Sequence, residues 1–170
     1  AQAQDEAESR QYKQTLNNLR DKYKDQLFRL QSEKPELKSL ISVDPLSVHK
    51  VQGLLEPGVT LLSYYLLPEE VVCWVLGSEQ FHVVRVPVDR SDLKESILEF
   101  RRQLQSLEPY EATSKQLSSL LLEPVAKHLQ GSEYVGIVPH RMLHYLSFAP
   151  LKYRDSYLVD KYPLFYLQSS

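Results

Sequence analysis

Cysteine, glycine and an excess of charge are what this sequence has least of: one Cys, 5 Gly, and 20 basic against 22 acidic side chains in 170 residues. A single thiol, Cys73, can form neither an intramolecular disulfide nor a cysteine-based zinc site, so a reducing, cytoplasmic setting is the default. With so few glycines there is no GxGxxG, no GxxxxGK[ST] and no GxSxG, and HExxH is missing as well. Phosphate-cradling loops, and with them nucleotide cofactors, are disfavoured. A net charge of -2 provides no basic footprint for nucleic acid, and 42% hydrophobic residues are too many for a disordered chain. No apolar run reaches the roughly 18 residues of a membrane span, and Ala1 to Arg10 is too polar for a signal peptide. What remains is a domain of ordinary size, with or without an appended arm.

From about Asp5 to Glu33, Tyr12, Leu16, Leu19, Tyr23, Leu27 and Leu30 recur at helical intervals, and charged and amide residues fill the other positions. This narrow, nearly heptad stripe predicts a long amphipathic helix that packs on a domain surface or a neighbouring helix and ends at Pro35. Ala1 to Gln4 has no apolar face and reads as the interior of a longer helix. A connector follows, in which DPLSVHKVQGLLEPG predicts a short helix with Pro45 in its first turn, closed between Gly53 and Gly58.

The period then changes. VTLLSYYLL, EEVVCWVLG and QFHVVRVPV are short runs rich in Val, Tyr, Trp and Phe, separated by Pro68-Glu69 and Gly77-Ser78, and they predict a three-strand meander. Both faces of the middle run are apolar, so it is expected to be covered on both sides. Asp89 or Ser91 is a suitable N-cap for a helix repeating Leu93, Ile97, Phe100, Leu104 and Leu107. After the LEPYEAT break, a second helical stretch turns Leu117, Leu120, Leu121, Val125 and Leu129 inward, with Pro124 starting a new turn and Gly131 at C′. YVGIVP predicts a buried strand parallel to an earlier one, and SYLVDKYPLFYLQSS an extended pair broken at Pro163. The simplest architecture is three-layer α/β, helices on both sides of a mixed sheet.

The segment from Leu120 to Ser170 resembles the first half of a CHAT domain, the caspase-like module often found after tetratricopeptide repeats and related to caspases and separase. The resemblance rests on Leu121, Pro124, Ile137, Val138, Pro139, Leu143, His144, Phe148, Leu151, Tyr157, Leu158, Tyr162 and Ser169, in that order. Upstream, LLSYYL, CWVLG, VVRVPV and the helix after them resemble that family's opening, so the similarity covers about residues 55 to 170. Two departures stand out: His140-Arg141 replaces the family's Asp-Gly turn, and Ser147 replaces a proline before Phe148.

The resemblance implies a caspase-like mixed sheet flanked by helices, divided as a helical arm over 1–34, a connector over 35–58 and the half-domain over 59–170. It also implies that the catalytic histidine and cysteine lie beyond Ser170. The chain itself would be the non-catalytic, pseudo-protease half of a cysteine endopeptidase, with no catalytic, cofactor or metal residue of its own. Its partners would be the catalytic half of the same domain, an upstream repeat or other helical sensor region, and the protein substrate or activator of the parent, with no direct nucleic acid and no membrane. The rival is a free-standing degenerate module that binds a protein through the helical arm. A third reading is a small-molecule enzyme with a pocket near His140 and His144.

Single residues favour bland roles. Cys73 sits mid-run among Val72, Trp74 and Val75, whereas nucleophiles favour strand ends or helix N-termini, so it reads as core. His82, on the next strand, is the nearest base and a possible cross-strand neighbour. His140 and His144 have the i, i+4 spacing of zinc ligands but lack a third, and read as an exposed turn and a hydrogen-bonded structural residue. His128 is placed to complement a helix C-terminus, and His49 belongs to the surface. Of the adjacent Arg101 and Arg102, at most one can face a partner, and both read as solvated.

Overall fold

The computed structural model describes Lys22 and residues 47–168. The predicted long helix over 5–33 lies outside these residues, apart from Lys22, which is helical and exposed. Residues from Ser47 onward fold as one compact unit of mixed α/β type, a five-stranded sheet flanked by helices.

Helix α1 (Val48–Gln52) starts at Ser47, whose side chain accepts from the Lys50 amide, and stops at Gly53. The meander follows as expected: β1 (Val59–Leu66), β2 (Glu70–Gly77) and β3 (Phe81–Pro87) are antiparallel neighbours in which Ser63 faces Trp74 and Trp74 faces Val83. In β2, Val71, Val72, Cys73, Val75 and Leu76 are all buried, which is why neither of its faces carries polar residues. Gln52 ties α1 to the far end of this hairpin by donating to the carbonyls of Gly77 and Gln80.

Helix α2 (Arg90–Ser106) begins where Asp89 Oδ1 accepts from the amides of Ser91 and Asp92, satisfying donors that a first turn leaves unpaired. Its Leu93, Ile97 and Phe100 are buried, Leu104 partly so. Leu107, expected on the same stripe, instead ends the helix in the left-handed region at φ 54° and is 93% exposed. The reversal that terminates the helix turns its side chain off the core face. Helix α3 (Glu111–Leu121) starts within the predicted break. A 3-10 segment, Glu123–Leu129, follows it with Pro124 in its first turn, because proline has no amide to continue the α-helical ladder.

Strand β4 (Tyr134–Val138) pairs parallel with β1, as the helical crossover requires. A second 3-10 segment, Arg141–Tyr145, leads to the small hairpin of β5 (Lys152–Tyr153) and β6 (Ser156–Tyr157). Helix α3 is joined to that hairpin by Ser114, whose buried hydroxyl donates to the Pro150 carbonyl and accepts from the Lys152 amide.

 A four-residue helix, α4 (Leu158–Lys161), directly follows β6. Of the extended pair expected to be broken at Pro163, the part after the proline is a strand, whereas the part before it is a two-residue strand followed by this helix. Asp160 accepts from the Tyr157 amide and closes that turn locally. Strand β7 (Leu164–Tyr166) then pairs parallel with β4, completing the order β3-β2-β1-β4-β7.

The core lies on the sheet face covered by α2, α3 and the 3-10 segments. Leu62, Val75, Ile97, Leu117, Ile137 and Phe148 are among its fully buried side chains. Among the described residues no helix is long and apolar enough to cross a membrane.

Candidate functional site

The chain leaves β1 toward β2 and β3 on one side, then returns to lay β4 and β7 on the other. The direction of winding thus reverses between β1 and β4, and open α/β sheets collect ligands outside the carboxyl ends of their strands at such a point. Here that end is formed by Tyr65 and Leu66 of β1 and by Pro139 and His140 after β4. The start of α2 lies close by, since the Arg90 amide donates to the Pro68 carbonyl at 3.1 Å.

His140 is no exposed turn residue. Its ring is half-buried and stacks on Tyr65 with centroids 4.1 Å apart and 13° between planes. The Leu66 amide donates to its Nδ1 at 3.0 Å, so the neutral ring carries its proton on Nε2. Burial, then the charges of Arg141, His144 and Arg90, hold His140 below the usual histidine value. Arg141 follows with φ 52°, a left-handed conformation that costs a non-glycine residue about 1 kcal/mol. His144 is exposed on the 3-10 segment, and because His140 precedes that segment in extended backbone, the two do not share a helical face.

The other histidines form a second cluster. His82 lies opposite Val75 and stacks on His128 at 3.9 Å, so it is not paired with Cys73, which faces Val84. Burial, then His82 and Lys127, keep His128 below its ordinary value. His49 is exposed, as expected. Cys73 is buried, and desolvation pushes its thiol up to about 12 against a partly opposing Tyr64 hydroxyl. A thiol so raised is a poor nucleophile at neutral pH. Among the described residues, no group of three metal-ligating side chains occurs.

A groove of about 740 Å³ between α2 and α3 is open to solvent. It contains Glu99 and Arg102, and Arg102 is occupied by Glu99 at 2.8 Å and Glu108 at 2.7 Å. The site between β1 and β4 was illegible in the sequence because its residues come from positions 65, 90 and 140. Its one signal was His140-Arg141 in place of Asp-Gly.

The depressed His128 and His140 carry a pH consequence. Both bind protons more weakly folded than unfolded, so stability is full above the unfolded value of about 6.5 and falls as pH drops below it. The urea midpoint, followed by fluorescence of Trp74, the sole tryptophan, is expected to be lower at pH 5.5 than at pH 7.5. The difference should shrink in His128→Gln; an equal or higher midpoint at pH 5.5 refutes the assignment.

The chain matches no protein-family model and no curated protein.

Proposed function

We propose that this chain is the non-catalytic half of a CHAT-type caspase-like cysteine endopeptidase, working in a reducing, cytoplasmic compartment. In this reading its sheet supports a catalytic half that carries the histidine and cysteine. The observation that carries the reading is the state of the only cysteine: Cys73 is walled into the centre of the sheet, its thiol raised to about 12, with no histidine facing it. Two further features support it. Leu121, Ile137, Leu143, Phe148, Leu151 and Leu158, six of the positions behind the resemblance, are all core residues. Strand β7 is an edge of the sheet, and an edge is where further strands add by main-chain hydrogen bonding.

The purified chain is expected to hydrolyse no peptide in a fluorogenic library, and Cys73→Ala to change nothing. Hydrolysis that disappears in Cys73→Ala overturns the proposal. A thiol raised from 9.0 to about 12 holds about a thousandfold less thiolate, so iodoacetamide should alkylate native Cys73 at least a hundredfold more slowly than the urea-unfolded chain. The intact mass of the native polypeptide should exceed 19.8 kDa, and a mass equal to it favours a free-standing module instead.

A further inference from the structure

The arginines of the described residues differ in whether they are paired. Arg85 pairs with Glu70 and Arg102 with Glu99 and Glu108, whereas Arg90, Arg101 and Arg141 form no ion pair among the described residues. All three are exposed. Arg90 and Arg101 are eleven positions apart on α2, three turns, and so lie on the same side about 16 Å from each other. The 3-10 segment Arg141–Tyr145 packs against that helix, and the Arg101 guanidinium sits 5.6 Å from the centre of the Tyr145 ring. At the other end of the segment, the charges of Arg141 and Arg90 both act on His140, whose ring is held by Tyr65 and the Leu66 amide.

Neither Asp89 nor Glu69 forms an ion pair with this row among the described residues. Asp89 is occupied by the amides of Ser91 and Asp92, and Glu69 lies on the adjoining turn. Arg141 also holds its charge there in a left-handed backbone, and local strain of this kind collects at functional sites. In a chain of net charge -2, three guanidinium groups with no ion pair among the described residues, on α2 and the 3-10 segment packed beside it, are a localised feature.

We propose that Arg90, Arg101 and Arg141 form a docking site for an acidic protein segment, an extended run of about five or six residues rich in aspartate and glutamate. Guanidinium forks pair with carboxylates through two parallel hydrogen bonds, and five extended residues span about 16–18 Å, the separation of Arg90 and Arg101. The row is too short and the chain too acidic for a nucleic-acid tract. This site does not depend on the protease reading.

Fluorescence anisotropy with the full chain and a fluorescein-labelled hexapeptide of alternating glutamate and aspartate tests it. Saturable binding is expected at 50 mM NaCl, weaker at 300 mM as screening predicts. Arg141→Gly should bind about tenfold more weakly while its urea midpoint rises, because glycine accepts the left-handed backbone. That split separates recognition from folding. Arg90→Glu with Arg101→Glu should lose about a hundredfold or more, and Arg85→Glu should bind as the parent does. No saturable binding, unchanged binding in Arg141→Gly, or equal binding of a single-stranded DNA dodecamer would each overturn the proposal.

Discussion

Truncating Phe148 to alanine is expected to remove about 3–5 kcal/mol of stability, a large share of the roughly 5–15 kcal/mol typical of a folded domain. Phe148 is fully buried between two tyrosines, its ring centroid 5.4 Å from Tyr64 and 6.5 Å from Tyr166. Its amide donates to the Tyr166 hydroxyl at 3.2 Å, so the loop that carries it is attached to β7 as well as to the core. The missing ring would leave a cavity bounded by β1, which is paired on both sides and cannot collapse inward. Phe148→Leu keeps most of the volume and should cost less than half as much. Urea unfolding followed by Trp74 fluorescence measures both, and a loss under about 1 kcal/mol for Phe148→Ala would show that the site repacks.

The second large effect concerns a residue with no side chain. Gly136 lies in β4 between Leu61 of β1 and Phe165 of β7. A Cβ there would stand against Leu61 Cδ2 and 2.6 Å from Phe165 Cζ. Gly136→Val is therefore expected to cost about 3 kcal/mol by overpacking, and to act first on β7, the shorter and less supported neighbour. Hydrogen exchange should report this at the Leu167 amide, which donates to the Ile137 carbonyl at 2.9 Å. If β7 is the edge on which a catalytic half is supported, the same variant weakens that support without touching the arginine row. Gly131→Ala provides the contrast: its Cβ meets nothing within 4 Å, but φ is 84°, so a cost of about 1 kcal/mol comes from the backbone alone. Equal exchange at Leu167 in Gly136→Val and the parent chain would refute the steric account.

Much of the fold was readable because it is written in short-range patterns. Alternating Val, Tyr and Trp located β1, β2 and β3, and Asp89 with Leu93, Ile97 and Phe100 located α2 and its start. The misreadings arose where a local pattern met a constraint from elsewhere. Leu107 continued the apolar stripe but became the left-handed terminus of α2, and the segment before Pro163 looked extended but coils into α4. His140 was read as an exposed turn because nothing near it in sequence shows that Tyr65 and the Leu66 amide await it 75 and 74 positions upstream.

Periodicity and composition alone thus established a mixed α/β chain whose single thiol is core, since burial repeats of two and 3.6 residues are local properties. The winding order β3-β2-β1-β4-β7 lay beyond them. It depends on which distant strands pair, and that pairing brings Tyr65, Arg90 and His140 to one end of the sheet and sets Arg101 beside Tyr145. A binding surface assembled from residues so far apart in the chain exists only once those long-range contacts form.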